Sequence, residues 1–570
     1  MVNADASKPD SGRTGADPAL VAATLPGLLK RWRRDHPDRI WLSEREGGGI
    51  RIWTWAEAAQ EALAIGAWLE ERLGGRGKRV AILSRNCAHW MLADLAITAA
   101  GHVTVPIFTT QSADIARYIL DFAEVDILIL GAAENQEKVR AVLPDRVAAM
   151  RLPGARAIAA AFDWDDIAGA YRGREPAHVP DADDLASIIF TSGTTGLPKG
   201  VMHTHRSLVV PMIRAREPLR MPMFPRFISY LPLSHLAERE QIFVMSLLQG
   251  GSVRFLERRE TLLRDLRETR PTFFFGAPRI WEQLQHAILL EFGGPDAFAA
   301  ALADDPAETA RRARRFLGFD DVDFLLSGSA PISSALLAFY ARIGLVILEG
   351  FGQTEAMGVM CNSMEERRLG SIGKPVSGVE AKLSAEGELL IRAEGFSPGY
   401  FKDPEQTART FVDGWVHTGD RARVDADGFY YITGRIKEYF KTIHGKFVAP
   451  VPLEDAFAGL PEIDQLCLLG RGYSKTVMVC TLSPAGRTAD REGLAAALKA
   501  RAAAVNAGAE KHAHLGGVIV SLREWTIDNG FLTTTLKIKR DSVETEYGER
   551  ARELAREAAE RKQILVECLA

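Results

Sequence analysis

Thr191-Ser-Gly-Thr-Thr-Gly-Leu-Pro-Lys-Gly200 follows Ala186-Ser-Ile-Ile-Phe190, an apolar run that reads as a buried strand. Within ten positions stand four hydroxyl residues, three glycines and a lysine. Glycine lets the backbone turn tightly and bring its N–H groups up to an anion. Thr191, Ser192, Thr194 and Thr195 add hydroxyl donors, and Lys199 adds positive charge. Such a loop suits a polyphosphate. It lacks the Gly-Lys-Ser/Thr ending of a Walker loop. No G-x-G-x-x-G opens a helix here either. Most Gly/Ser/Thr clusters are plain surface loops, but the hydroxyl density and the lysine argue against that reading.

Upstream, Lys78-Arg-Val-Ala-Ile-Leu83 reads as a strand, residues 87–100 as an apolar helix and residues 102–108 as a second strand. Residues 112–122 read as a helix and 125–130 as a third strand. The alternation argues for a parallel sheet with covering helices. Downstream, Ser229-Tyr-Leu-Pro-Leu233, Thr272-Phe-Phe-Phe275, Phe324-Leu-Leu326 and Leu345-Val-Ile-Leu348 are short apolar runs, each followed by a loop of Gly, Pro, Ser or Thr. Ligands of such sheets bind beyond the carboxyl ends of the strands. From about residue 380 the pattern turns β-rich, with Gly387-Glu-Leu-Leu-Ile-Arg392 and Gly428-Phe-Tyr-Tyr-Ile432 as strands. Residues 463–482 read as two paired strands, and 489–507 and 544–562 as charged amphipathic helices. The expected class is α/β. A large N-terminal domain of parallel or mixed sheets with covering helices and a β-rich subdomain precedes a small α+β C-terminal domain.

Hydrophobic content of 47% and charged content of 25% over 570 residues are those of a globular protein. A net charge of −4 offers no basic surface for nucleic acid. Cys87, Cys361, Cys467, Cys480 and Cys568 lack metal-ligand spacing and fit thiols in a reducing compartment. No secretory segment opens the chain, and no apolar run of about 18 residues predicts a membrane span. A cytoplasmic location follows, with peripheral contact at the inner membrane face left open. Residues 1–20, rich in Ala, Asp, Gly and Pro, are expected to be a flexible tail.

The string 191–200 resembles the phosphate loop of the adenylate-forming (AMP-binding) superfamily, which includes acyl-CoA synthetases, aryl-CoA ligases, luciferases and peptide-synthetase adenylation domains. Further segments extend the resemblance in the family's order. Leu348-Glu-Gly-Phe-Gly-Gln-Thr-Glu355 resembles the Tyr-Gly-x-Thr-Glu segment, with Phe351 at the tyrosine position. The resemblance implies that Gly350, Phe351, Gly352 and Gln353 border adenine, that Thr354 contacts the α-phosphate and that Glu355 holds Mg²⁺. Alone, a Thr-Glu pair also fits a helix cap with an acidic first turn. Ser327-Gly-Ser-Ala-Pro331 resembles the adenine-side turn, which would place Ser329, Ala330 and Pro331 there. Asp413-Gly-Trp-Val-His-Thr-Gly-Asp420 resembles the acyl-CoA synthetase signature, in which Asp420 would hold the ribose hydroxyls.

Gly434-Arg-Ile-Lys-Glu438 resembles the family hinge, with Arg435 on the ribose and Lys437 as pivot. The implied domains are then 21–434 for AMP binding and 435–570 as a mobile C-terminal unit. Asn529-Gly-Phe-Leu-Thr-Thr-Thr-Leu-Lys-Ile-Lys-Arg540 resembles the C-terminal lysine loop. Lys537 would bridge the substrate carboxylate and the α-phosphate, while Lys539 and Arg540 are expected to be solvated. Position 534, often Pro in the family, is Thr. Ser229-Tyr-Leu-Pro-Leu-Ser-His-Leu-Ala-Glu-Arg239 resembles the border of the acyl pocket, with His235 on the carboxylate side. A lone histidine in an apolar segment also reads as a satisfied core residue. Glu238-Arg239 and Ala277-Pro-Arg-Ile-Trp-Glu282 are similar to long-chain fatty acyl-CoA synthetases. Thr442-Ile-His-Gly-Lys446 departs from the usual Ser-Gly-Gly-Lys at the CoA channel, where Gly445 and Lys446 would act.

The implied reaction is ATP-dependent activation of a medium- to long-chain fatty acid to acyl-AMP and then to acyl-CoA, with ATP, Mg²⁺ and coenzyme A. An aryl-acid CoA ligase and an acyl-AMP ligase loading a separate carrier protein use the same residues. A regulatory protein that binds nucleotide without catalysis is the reading from another class; retention of Glu355, Asp420, Arg435 and Lys537 argues against it.

Overall fold

The computed structural model describes residues 23–155, 159–191, 197–527, 529–533 and 537–569. The expected tail over residues 1–20 lies outside them, as do Ser192, Gly193, Thr194, Thr195 and Gly196 of the phosphate loop, and Thr534.

The strands read upstream form a seven-stranded sheet in the order Phe162–Asp163, Ala148–Arg151, Val125–Leu130, Arg79–Leu83, Val103–Ile107, Leu185–Thr191, Lys199–Thr204. Its pairs are parallel except the last, in which Lys199–Thr204 returns antiparallel to Leu185–Thr191. The strand before the phosphate loop is thus a sheet strand that hairpins back, with Thr191 opposite Lys199. Helices cover both faces. Trp55–Leu73 opens on a capping box between Thr54 and Glu57 and shares the main apolar core with the buried helix Ala88–Ala99. Ala113–Phe122 packs Ala116, Ile119 and Leu120 on the other face.

A second sheet orders Phe273–Gly276, Phe324–Ser327 and Ile347–Gln353 in parallel, followed by antiparallel Ala356–Cys361 and Lys374–Pro375. Period-two alternation sends Phe274, Leu325 and Ile347 toward the helices Pro278–Glu291, Pro306–Leu317 and Ser334–Arg342. Phe273, Phe275, Leu326 and Leu348 face the core shared with the first sheet. Two boundaries differ from the sequence reading. Ser229 ends its strand, Arg226–Ser229, so residues 230–233 are the loop beyond a carboxyl end. The strand read at 345–348 runs on through Gln353, so Gly350, Phe351 and Gly352 lie within a strand.

The later residues build an antiparallel sheet from Glu380–Leu383, Glu388–Arg392, Phe411–Val412, Trp415–Val424 and Tyr430–Arg435. After the hairpin of Phe440–Lys441 and Phe447–Val448 comes a four-stranded sheet of Ile463–Leu469, Thr476–Leu482, Leu515–Ser521 and Leu565–Leu569. Leu468, Met478, Val518 and Val520 meet Leu494, Leu498 and Ala502 of helix Arg491–Gly508. Cys467, Leu469, Val477, Val479 and Ile519 meet Val543, Tyr547, Ala551 and Leu554 of helix Arg540–Arg561. The same alternation therefore places one helix on each face. Arg540 overturns the expectation of a solvated charge. Its guanidinium donates to both carboxylate oxygens of Glu454 at 2.7 and 3.0 Å and to the Leu468 carbonyl at 3.0 Å. Enclosed at the start of its helix, the cation needs these partners.

Candidate active site

Three chain segments beyond the carboxyl ends of the parallel strands converge with the later antiparallel sheet and the C-terminal lysine loop. Ser327 and Glu349 lie opposite each other on adjacent parallel strands. The Ser327–Pro331 turn therefore stands beside the Gly350–Gly352 stretch. An ideal Cβ on Gly328 would lie 3.5 Å from the Gly350 carbonyl oxygen, in ordinary contact with it. Ser329 takes φ +69°, a strained backbone for a residue with a side chain and of the kind found at ligand sites. Burial pushes the neighbouring Glu349 carboxyl up to about 8, although the Gly370 N–H donates to it at 2.9 Å.

Thr354 and Glu355 form the two-residue turn between Ile347–Gln353 and Ala356–Cys361, with Gln353 opposite Ala356. A hairpin turn, and no helix cap, presents them. Tyr400 donates its hydroxyl to Glu355 Oε1 at 2.5 Å. Tyr400 in turn bridges to Val201 on the strand that starts at Lys199. Lys199 Nζ donates to Gln406 Oε1 at 2.5 Å and lies 5.8 Å from the Tyr400 ring.

Gln353 reaches the other way. Its Nε2 donates to Asp420 Oδ2 at 2.5 Å and to the Thr418 carbonyl at 2.8 Å. Asp420 faces Arg435 across the antiparallel pair, and Arg435 Nε lies 2.9 Å from Asp420 Oδ1. Burial raises the Asp420 carboxyl to about 6, against the lowering pull of Arg435, Gln353 and Lys537.

Lys537 closes the cleft. Its N–H donates to Thr533 Oγ1 at 3.0 Å and its carbonyl accepts from Thr533 N–H at 2.8 Å. Leu532 and Ile538 form the bridge that pins this loop. Lys537 keeps solvent access, yet protein surrounds the cleft. That desolvation, with the Arg435 charge, holds its ammonium below the usual lysine range, while Asp420 and Glu438 pull the other way. His235 feels the same lysine. Burial and then the Lys537 charge hold His235 down to about 4, so its imidazole is neutral at pH 7. Ala237 N–H donates to His235 Nδ1 at 3.2 Å as a helix cap, which leaves the proton on Nε2. His235 is half-buried at the edge of the cleft. The structure thus gathers Lys199, His235, Gln353, Thr354, Glu355, Asp420, Arg435 and Lys537 around one cleft. Lys437, Gly445 and Lys446 lie exposed.

Residues 29–401 match the family model for AMP-binding enzymes. The chain belongs to that family. Long-chain-fatty-acid–CoA ligase FadD15 of Mycobacterium bovis is 30% identical to this AMP-binding enzyme over 92% of its chain and 95% of that protein. The A domain of the carboxylic acid reductase of Segniliparus rugosus, solved with AMP and a co-purified carboxylic acid, matches at a TM-score of 0.79 and 24% identity over 95% of this chain and 96% of that one. Anthranilate CoA ligase AuaEII, solved with anthranoyl-AMP, matches at 0.76 and 22% over 94% and 98%. The two solved structures establish the fold. Family membership and the FadD15 relative make this chain an AMP-forming acid–CoA ligase.

Sequence reasoning missed Tyr400, Gln406 and Glu349 in this AMP-binding enzyme. Tyr400 and Gln406 lie in Gly399-Tyr-Phe-Lys-Asp-Pro-Glu-Gln406, where no chemical pattern marks them. Only the pairing with the Lys199 strand brings them to the cleft. Glu349 had a signal: an acidic residue inside an otherwise apolar strand.

Proposed function

We propose that this AMP-binding enzyme activates a medium- to long-chain fatty acid to acyl-AMP and passes the acyl group to coenzyme A. The observation that carries the reading is the convergence of Lys537, Asp420, Arg435 and His235 on one cleft beside the Thr354–Glu355 turn. The likeness to FadD15 over nearly the whole chain supports the fatty acid.

In the first half-reaction the carboxylate oxygen attacks the α-phosphorus of ATP and pyrophosphate leaves. Two anions must meet, and Lys537 offsets their repulsion while Thr354 and the loop 191–196 offer donors to the phosphates. Phe351 keeps an apolar face for adenine and lacks only the hydroxyl of tyrosine. Asp420 and Arg435 take the ribose. His235, neutral with its proton on Nε2, donates toward the carboxylate side. A divalent cation fits at Glu355: Mg²⁺ commonly takes one or two carboxylates together with substrate phosphates, and a phosphate lysine stands one strand away. When bound, Mg²⁺ supplies charge neutralisation at the phosphates.

In the second half-reaction the CoA thiol attacks the acyl carbonyl and AMP leaves. For this, the unit 435–570 rotates about Lys437, withdraws Lys537 and presents the hairpin around Gly445 and Lys446. Ile443 and Phe447 stand 65% and 59% exposed on that hairpin, apolar surface that a docked position would cover. The setting is the cytoplasm, where ATP and CoA are held; no helix among the described residues is long and apolar enough to cross a membrane.

The test is pyrophosphate release with Mg-ATP over saturated fatty acids of graded length, with benzoate and coumarate, with and without CoA. CoA-dependent turnover with a band of fatty acids is expected. Preference for the aromatic acids would replace the fatty acid with an aryl acid. Pyrophosphate release without a CoA thioester would replace CoA with a carrier protein.

A further inference from the structure

Glu355 does not stand alone in its turn. Its Oε1 accepts the Tyr400 hydroxyl at 2.5 Å, and its carbonyl accepts the Ser397 N–H at 3.0 Å. Tyr400 is itself fixed from several sides. Its N–H donates to Thr407 Oγ1 at 2.9 Å. On either side of it, Gly399 accepts from Met202 N–H at 2.9 Å and Phe401 N–H donates to Gly200 at 2.8 Å. The segment 399–401 is therefore sewn onto the strand Lys199–Thr204, and Tyr400 is 7% exposed. A tyrosine so enclosed usually gives its hydroxyl a partner, and here the partner is the carboxylate expected to hold the cation. Among the described residues no cluster of three or more His, Cys, Asp or Glu exists to bind a metal. The Glu355 carboxylate is thus oriented at Oε1 by the Tyr400 hydroxyl.

We propose that Tyr400 is the positioning residue for the metal carboxylate: its hydroxyl holds Glu355 Oε1 and turns Oε2 toward the cation that accompanies ATP. The same segment steers the phosphate lysine, because Gln406 receives the Lys199 ammonium at 2.5 Å. One short piece of chain, 397–406, thereby ties the cation carboxylate and the phosphate lysine to a single framework. The proposal rests on the cation role assigned to Glu355 and is independent of which acid is activated. Groups that orient a ligating carboxylate typically contribute about 10–100-fold to metal affinity.

The experiment is a Mn²⁺ titration of the full chain by electron paramagnetic resonance, with a non-hydrolysable ATP analogue, for the wild type, Tyr400→Phe and Glu355→Gln. Phenylalanine keeps the ring and the backbone bond to Thr407 and removes only the hydroxyl. Tyr400→Phe should weaken Mn²⁺ binding by about 10–100-fold, and raised Mg²⁺ should restore pyrophosphate release toward the wild-type kcat. Glu355→Gln should remove nucleotide-dependent Mn²⁺ binding, with no rescue by excess metal. Unchanged Mn²⁺ affinity in Tyr400→Phe would overturn the proposal. So would an activity loss that excess Mg²⁺ leaves in place, which is the mark of a merely structural tyrosine. No Mn²⁺ uptake by the wild type with the analogue would sink the role of Glu355 itself. The Mn²⁺ titration contains no acid, so its results are separate from the choice of fatty acid.

Discussion

Asp420 is nearly enclosed, and burial wins over the two donors that face it, so its proton leaves at about 6 and not at the usual aspartate value of 3.8. In the proposed ribose role, Asp420 accepts hydroxyls best at both oxygens when ionised. Below about 6 the protonated fraction grows, and kcat/KM for ATP should fall toward a tenfold loss per pH unit. Asp420→Asn should lower kcat/KM and remove that acid limb, in a profile taken from pH 5 to 9. An unaltered acid limb in the variant would assign it to another group. His235 adds nothing there, because its imidazole stays neutral down to about 4. The residue scale is also where sequence reasoning failed most plainly. Arg540 read as one more charge in Lys537-Ile-Lys-Arg540, yet it is an enclosed hub on Glu454 and Leu468. Partners 72 and 86 positions away leave no local mark.

At the scale of elements, the helix that follows His235 is unusual. Residues Arg239–Val244 wind as a π-helix, a form found mostly as short bulges and often near functional sites. It carries three charged or amide side chains into the core. Arg239 is satisfied by Asp94 at 2.5 Å and Ser187 at 2.6 Å. Glu240 is fully buried, and neither carboxyl oxygen has a hydrogen-bond partner among the described residues. Burial holds its proton on well above the usual glutamate range. The sign of the consequence follows from linkage. The unfolded chain releases this proton near the ordinary value of 4.5 while the folded chain retains it, so folding loses stability as pH rises from there. Glu240→Leu should therefore stabilise the protein by about 1–3 kcal/mol at neutral pH, and the gain should shrink as pH approaches 5. Thermal unfolding of both proteins at pH 5 and pH 8 measures it; a variant destabilised at both values would mean that the carboxyl has a partner worth more than its burial costs. The strands of the two parallel sheets were legible because apolar runs and Gly-rich loops alternate. The π-turn was not, since one extra residue per turn leaves the apolar pattern almost unchanged. The adenine strand was read short because Gly350 and Gly352 break the apolar run that announced it.

For the whole molecule, the C-terminal lysine loop brings Lys537 close to Asp420, Arg435 and His235. The contact between Arg279 of helix Pro278–Glu291 and Asp464 at 3.1 Å and that of the Tyr439 hydroxyl with the Thr433 carbonyl at 3.1 Å are among those that join the two parts. An ion pair of the exposure of Arg279–Asp464 contributes about 0.2–1 kcal/mol. The order of motifs along the chain made the two-part plan readable. The Arg279–Asp464 pair was not readable, because its partners lie 185 positions apart.

The central claim is that Lys537 serves adenylation alone. Lys537→Ala separates the halves: pyrophosphate release from Mg-ATP and a fatty acid tests the first, and thioester formation from supplied acyl-AMP and CoA tests the second. The account predicts a loss of at least about 100-fold in the first, the scale of removing one preorganised charge donor, with the second retained within about threefold of the wild type. Equal loss in both halves, or an adenylation rate close to that of the wild type, would contradict it.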